Sequence, residues 1–436
     1  MRDAAAPFNA RMSDVPLDAA RRRDPRIDSR MAVRPSLRLA ERWVNRLPLA
    51  GVTLLSKVGA PKLAALGISF SIPFIYLGGL LGLLTGRLVI DPARFVWFLT
   101  MAAVLWLMQF VHGGPFSVLS LLMLCVLHLP YVLGGRAVNG GPERAWDAFR
   151  LLASFLAICG IAQYLLQFVI GPLFAFPMDN LLPEPLRVLG FNGQGWIEYG
   201  STTFRSNGVF MLEASFFSQL LAIALVGELL NRALSWKRVA LYCAGIVVSY
   251  SGTGILSLIV CFPIWMVRQR RWDVAAVLLI AIALFWAVLL SGVANENVFV
   301  KVFLDRSREF TSTGSSGFAR FVGGFYLFEQ FLWPDPLRTL FGFGSGSFVA
   351  YIAEAQFPAH GMALFKMVFE FGIVGATAYF GFLLYCFSRS RAPLELRAAI
   401  FVPLLIQNYV PFAHGLAFVL LVWSTPSVAQ FLRSKA

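Results

Sequence analysis

Apolar residues occur in long runs along most of the chain, and short polar or basic segments separate these runs. None of the runs alternates apolar and polar residues, as the strands of a membrane-spanning barrel do. The runs therefore predict helices, which satisfy their own backbone hydrogen bonds in an apolar environment. The predicted helices lie at about 63–84, 95–111, 116–133, 148–170, 209–230, 238–252, 254–267, 274–292, 362–387, 398–412 and 415–432.

The composition excludes several classes of protein. Of the 436 residues, 58% are hydrophobic and 14% are charged, and the mean hydropathy is +0.70. Soluble domains carry about a quarter charged residues, so a soluble enzyme, a disordered chain and a DNA-binding protein are excluded. A span with its connection takes about 35 residues. We therefore predict an all-α, polytopic integral membrane protein with about 11–12 transmembrane helices.

The positive charge is concentrated at the N-terminus. Residues 1–62 contain 13 basic and 6 acidic residues, which accounts for half of the net charge of +14. Such tails lie beside the anionic cytoplasmic leaflet. We expect 1–62 to be a basic cytoplasmic tail, partly disordered or lying in the interface, and 63–436 to be the transmembrane domain. Nucleic acid is not an expected partner, because aromatic residues do not interleave with the basic ones.

Basic residues in the short connections predict the orientation of the helices. They lie at 232–238, 268–271 and 389–397 and near the C-terminus, which places these segments in the cytoplasm. Alternation then places two long loops, 171–208 and 293–360, on the outer side. The basic tail and the 85–94 connection are both expected in the cytoplasm, yet only one apolar run lies between them, so one crossing is missing there. Either 41–84 crosses twice or an early run is re-entrant, and we favour twelve crossings.

The first long loop carries candidate chemistry near its end. Arg205 lies about one turn before the predicted helix 209–230, and its planar guanidinium suits phosphate oxygens. An interfacial arginine with no catalytic role explains the same position. Glu213 is expected about two turns inside the helix, where a carboxylate needs a partner. It is a functional candidate, or a structural acid that pairs with Arg205 or with a hydroxyl.

The second long loop contains further cations and a histidine. Arg306, Arg308 and Arg320 flank a Ser/Gly-rich stretch, and His360 lies at the outer end of the predicted helix 362–387. A neutral imidazole can take a proton from a hydroxyl group near pH 7. The glycine run at 342–346 is more typical of a turn than of an anion site.

Other polar residues within the apolar runs have simpler interpretations. Lys366 and Glu370 are four residues apart on one helix face, so we expect them to pair with each other. For His112, His128 and His414 we favour structural or interfacial roles.

Three segments together resemble the superfamily of O-antigen ligases and O-antigen and exopolysaccharide polymerases. Residues 204–216, with Arg-Ser-Asn-Gly followed by an apolar stretch, look like its Arg-x-x-Gly segment. Residues 317–346 look like its second arginine followed by a Gly-x-Gly turn. Residues 360–375, with Glu-Phe-Gly-Ile-Val-Gly, look like its segment that begins with histidine.

The resemblance implies a substrate and a chemistry. The substrate is a glycan on undecaprenyl pyrophosphate, presented at the periplasmic face of the bacterial inner membrane. Arg205 and Arg320 would bind the pyrophosphate, and His360 would act as the general base in an inverting transfer. No cofactor or metal is expected. Further substrate-binding candidates are Glu213, Arg306, Arg308, Tyr199 and Ser215.

The leading hypothesis is a glycosyltransferase that polymerises carrier-linked repeat units. Its expected partners are membrane lipid and other polysaccharide assembly proteins, such as a flippase and a chain-length regulator. A ligase that transfers the glycan to lipid A core is the close alternative. A transporter of lipid-linked oligosaccharide is the alternative from another class, although we find no internal repeat of the kind common in transporters.

Overall fold

A computed structural model describes most of the apolar core of the chain. The described residues are 35–59, 69–111, 116–136, 141–188, 190–191, 193–197, 201–231, 233–270, 315–355, 357–407 and 410–423, with isolated helical positions between 272 and 287. They form a mainly helical protein with one small two-stranded sheet. The predicted helix at 274–292 lies almost wholly outside them.

The first half of the chain contains the sheet and the first seven helices. Their bounds are α1 Pro35–Leu54, α2 Ser71–Leu84, β1 Leu88–Ile90, α3 Pro92–Val111, α4 Val118–His128 with a 3₁₀ turn Leu129–Val132, β2 Leu133–Gly135, α5 Gly141–Ile170, α6 Pro172–Ala175 and α7 Pro177–Asn180.

In the described part of the second half, the regular elements are helices. Its bounds are α8 Ala214–Leu229, α9 Trp236–Ser249, α10 Gly252–Arg268, α11 Ser316–Phe321, α12 Gly323–Leu327 with a π turn Phe328–Leu332, α13 Pro336–Phe341, α14 Ser347–Glu354, α15 Ala363–Ser388, α16 Leu394–Ile406 and α17 Pro411–Ala417 with a π turn Phe418–Val422.

Three of the described helices are long and apolar enough to cross a membrane. They are Pro92–Val111, Ala145–Ile170 within α5, and Ala363–Ser388. Large apolar side chains on these helices face outward: Phe110 is 72% exposed, Leu151 74% and Val169 80%. Water would penalise such a surface, whereas lipid chains would not.

Helix α1 packs within the helical bundle. Val44, Leu49 and Val52 on α1 are buried. The helix packs closely and antiparallel to α2: Gly78 lies against the Pro48 ring, and Gly51 lies against Phe74, so that a Cβ on either glycine would overlap its neighbour. The apolar face of α1 is thus covered by protein.

The connection between α1 and α2 contacts the first long loop. Val58 forms an antiparallel bridge with Arg187, and the Gly59 amide donates to the Leu186 carbonyl at 2.8 Å. The connection between α1 and α2 therefore lies beside the described part of the first long loop.

Several connections lie at the end of α2 opposite to its connection with α1. Leu88 in β1 pairs with Gly135 in β2, and Arg94 donates to the Leu133 carbonyl at 2.8 Å. Ser390 donates to the Leu421 carbonyl at 3.1 Å. Arg268 Nε lies 3.4 Å from Glu395 Oε1, so the basic connections 268–271 and 389–397 lie side by side.

Helix α8 is the central element, because it is buried on every side. All residues from Ala214 to Glu228 are buried, and α8 packs against α5, α9, α10 and α16. A helix that is apolar all round needs such an environment. Its N-terminal end fixes the position of Glu213 and Ser215.

Candidate functional site

An ion pair joins the two long loops at the N-terminal end of α8. Arg320 Nη2 donates to Glu213 Oε2 at 3.1 Å, and both side chains are partly exposed, at 28% and 15%. The Ser215 hydroxyl donates to the same carboxylate oxygen at 2.9 Å. The expected partner of Glu213 was Arg205 or a hydroxyl. In the structure, Glu213 accepts from the Ser215 hydroxyl, and the arginine that pairs with it is Arg320 rather than Arg205.

Helix α8 begins later than the sequence predicts, so two expected positions are wrong. Glu213 is the residue that precedes the helix, with extended backbone, rather than a residue two turns inside it. Arg205 lies nine residues before the helix rather than one turn. The cause is a left-handed turn at Gly208 (φ 68°) and Val209 (φ 69°), which a right-handed helix cannot contain.

Side chains from α5 stabilise that turn. Gln163 Oε1 accepts from the Asn207 amide at 3.1 Å and from the Val209 amide at 3.2 Å. The Ser206 hydroxyl donates to the Gly160 carbonyl at 2.8 Å. The backbone groups that a helix would have paired are therefore satisfied by another element.

His360 lies beside Arg320 because the backbone joins the two segments. The His360 amide donates to the Ala319 carbonyl at 2.7 Å, one residue before Arg320. Partial burial of the imidazole lowers the pKa of His360, the Arg320 charge lowers it further, and Glu213 acts in the opposite direction. The ring is therefore neutral near pH 7 and able to accept a proton.

Arg205 is held by its own loop. Its Nη2 donates to the Ile197 carbonyl at 3.2 Å, and its amide donates to the Gly195 carbonyl at 2.8 Å. The structure thus groups Arg320, Glu213, Ser215 and His360 through these contacts, and it holds Arg205 in the turn that leads to them.

Several expected residues cannot be placed. Tyr199, Arg306, Arg308 and His112 lie outside the described residues. His128 and His414 are buried, and each contacts a tyrosine: His128 lies 3.1 Å from the Tyr379 hydroxyl, and His414 lies 3.2 Å from the Tyr131 hydroxyl. Both histidines join buried helices, which agrees with the structural role favoured for them.

A group of hydroxyls at the start of α10 was not predicted from the sequence. Thr253 donates to the Ser215 carbonyl at 3.1 Å, and Ser218 donates to the Ser251 carbonyl at 3.2 Å. Helix α10 can approach α8 closely because Gly254 has no Cβ, which would overlap Ser218. The signal was available, since the stretch Ser-Gly-Thr-Gly at 251–254 interrupts two apolar runs.

Helix α15 is interrupted below the site. Gly372 has φ 66° and ψ −174°, a conformation essentially restricted to glycine. The glycine run packs against this break: the Phe343 and Gly344 amides donate to the carbonyls of Phe369 and Glu370, each at 2.9 Å. The run is therefore a turn, as favoured from the sequence.

The Lys366 and Glu370 pair lies next to the break. The two charged groups are 3.8 Å apart, and Glu370 is almost completely buried. The expected pairing within the helix is confirmed. Lys366 also lies beneath Gly361, because a Cβ on Gly361 would contact its side chain.

The site combines a partly exposed cation, a carboxylate that holds it, and a neutral imidazole. Such a group can bind an anion and accept a proton. Among the described residues, no set of three or more His, Cys, Asp or Glu side chains is arranged to hold a metal ion.

No protein-family model matches the chain, and no curated protein matches it significantly.

Proposed function

We propose that this protein is a glycosyltransferase of the bacterial inner membrane that polymerises undecaprenyl-pyrophosphate-linked repeat units at the periplasmic face. The observation that carries the proposal is the meeting of Arg320, Glu213 and His360. Arg320 and Glu213 are 107 residues apart in the chain, yet their side chains lie 3.1 Å apart. His360 joins them through Ala319. The resemblance of the three segments to O-antigen polymerases supports the same reaction.

Arg320 and Arg205 would stabilise the leaving diphosphate. Charge develops on the diphosphate as its bond to the anomeric carbon breaks, and fixed cations lower the energy of that state. In the absence of substrate, Glu213 holds the Arg320 guanidinium in place. The diphosphate would then compete with Glu213 for the same N–H groups.

His360 would activate the acceptor sugar. Its imidazole takes the proton of the sugar hydroxyl while the hydroxyl oxygen forms the new bond to the anomeric carbon. The bond from that carbon to the phosphate oxygen breaks on the opposite face, and the undecaprenyl diphosphate leaves with the electron pair. The configuration at the anomeric carbon is therefore inverted.

The arrangement of the helices supports a membrane location for this reaction. Helix α1, added to the eleven apolar runs, makes twelve crossings, and both termini then lie in the cytoplasm. The site lies at the end of the bundle away from the basic connections. That end would face the periplasm, where the carrier presents its glycan.

A lipid-linked oligosaccharide transporter is the second candidate, and one observation favours it. Transporters bind their substrates at interrupted helices, and α15 is interrupted at Gly372 beside the buried Glu370. A ligase acting on lipid A core remains an alternative within the first class.

The test is polymerisation by the purified protein in liposomes with a synthetic undecaprenyl-pyrophosphate repeat unit. We expect long products from the wild type, and a loss of about 100-fold or more in rate for His360→Ala and Arg320→Ala. Arg338→Ala is the matched control, because Arg338 also lies in the last turn of a six-residue helix but pairs with Asp335 of its own helix cap.

Three outcomes separate the candidates. Normal products from both site variants would overturn the proposal. Movement of the substrate across the bilayer without polymer would favour the transporter. Single-unit transfer to an added lipid A core acceptor, again without polymer, would favour the ligase.

A further inference from the structure

A buried ion pair links the α1–α2 connection to the first long loop. Lys57 Nζ lies 2.5 Å from Asp179 Oδ2, and the two side chains are 3% and 12% exposed. Lys57 follows α1, and Asp179 is in α7. The pair therefore joins two segments that are 122 residues apart.

The same carboxylate oxygen continues the contact towards Arg205. Asn207 Nδ2 donates to Asp179 Oδ2 at 3.0 Å and to the Gly193 carbonyl at 2.6 Å. Gln163 Nε2 donates to Asn207 Oδ1 at 3.0 Å. Asn207 and Gln163 are buried, so Lys57, Asp179, Asn207 and Gln163 form one largely buried polar chain, and its member Asn207 lies two residues after Arg205.

Backbone contacts clamp the loop on both sides of that chain. The Val188 amide donates to the Lys57 carbonyl at 3.1 Å. The Ser56 hydroxyl donates to the Phe210 carbonyl at 2.7 Å. The α1–α2 connection thus contacts the loop before and after the Arg205 turn.

The ion pair contributes little to the stability of the fold, but it fixes the relative position of the two segments. Burial lowers the pKa of Lys57 to about 8, although the charge and hydrogen bond of Asp179 raise it. Desolvation therefore outweighs the attraction between the two groups, as in many buried ion pairs. What the pair supplies is one defined arrangement, because Asp179 accepts from Lys57 and Asn207 through a single oxygen.

We propose that Lys57 and Asp179 are positioning residues, which hold the Arg205 turn in the geometry that the transfer reaction needs. This inference rests on the proposed function, in which Arg205 binds the diphosphate. Neither Lys57 nor Asp179 touches the reacting groups. They act through Asn207 and the 206–209 backbone.

Hydrogen exchange tests the positioning without any substrate. In Lys57→Met, we expect faster exchange of the Ser206, Asn207 and Val209 amides than in the wild type. Arg268→Met is the matched control: it leaves the buried Glu395 without its 3.4 Å partner, but at the opposite end of the bundle. Unchanged exchange at 206–209 in Lys57→Met would overturn the inference whatever the activity.

The pH profile tests the link to the reaction. The groups that face Lys57 are Asp179 and, through the Asp179 carbonyl, Arg187 at 2.8 Å. Because Lys57 loses its charge above about pH 8, we expect the polymerisation rate of the wild type to fall there. Lys57→Arg stays charged, so it should keep the rate at pH 7 and lose this alkaline limb. Lys57→Met should lose about 100-fold at pH 7.

The two possible failures are distinguishable. If exchange at 206–209 rises in Lys57→Met but the rate is normal, the turn has no catalytic use and this inference is overturned. His360→Ala still tests the proposed function in that case. If His360→Ala and Arg320→Ala are fully active, the proposed function itself is overturned.

Discussion

Glu213 shows how a single residue can be suspected from the sequence without its partner being known. A carboxylate beside an apolar run needs a counter-charge, and this requirement is local. The identity of the counter-charge is not local: it is Arg320, from the other long loop. The second long loop contains Arg306, Arg308 and Arg320, and the sequence alone does not show which of them reaches Glu213.

The charges around His360 predict two shifts of opposite sign. Glu213 raises the pKa of His360 and Arg320 lowers it. Glu213→Gln should therefore lower this pKa and move the acid limb of the polymerisation rate to lower pH, because the neutral base persists there. Arg320→Gln should raise the pKa and move the limb to higher pH.

The measurement is the pH at half-maximal rate, which does not depend on how far each variant lowers the maximum. Arg338→Gln is the control and should leave the midpoint unchanged. Shifts of the same sign for the two site variants would contradict the assignment of His360 as the base.

At the scale of elements, helix α15 differs from its predicted form. The sequence predicts one continuous apolar helix, and α15 is instead broken at Gly372. Because glycine has no Cβ, the Leu340 carbonyl can pack directly against Gly372. The amides of residues 343 and 344 then donate to the carbonyls that the break leaves without helical partners. Both conditions depend on a segment that lies thirty residues earlier in the chain.

This break predicts a contrast between two glycines of α15. Gly372→Ala should destabilise the protein by about 1–3 kcal/mol or more, from its left-handed backbone and the overlap with Leu340. Gly381→Ala should be neutral or stabilising by up to about 1 kcal/mol, since nothing lies near its Cβ and alanine favours a helix. Thermal unfolding in detergent measures both. Equal effects would contradict a break at Gly372.

At the scale of the whole molecule, the two ends of the bundle differ in character. One end collects the basic connections, with ion pairs such as Arg268–Glu395 and Arg238–Glu228. The other end carries the candidate site, where the described parts of the two long loops meet through Arg320 and Glu213. All of the grouped site residues lie at the N-terminal end of α8, away from Glu228 near its C-terminal end.

The separation predicts which positions a membrane-impermeant thiol reagent reaches in intact cells with a permeable outer membrane. The background is a variant in which the five native cysteines are replaced by serine. Leu181→Cys, exposed in the first loop, should react directly. Trp236→Cys, exposed beside the basic connection 232–238, should react only after the inner membrane is permeabilised. The reverse pattern, or reaction of both, would contradict the proposed topology.

Composition and local spacing were enough to predict the helical class, the approximate positions of long apolar helices such as α3, α5 and α15, and the pairing of Lys366 with Glu370. They did not predict α1 or the short helices within the two long loops. The sequence also identified Arg205, Arg320, Glu213 and His360 as residues that need an explanation. Contacts between distant segments fix the start of α8 at Ala214, the break of α15 at Gly372, and the pairing of Glu213 with Arg320. Each of these depends on hydrogen bonds and close packing between segments far apart in the chain, which no local pattern of residues encodes.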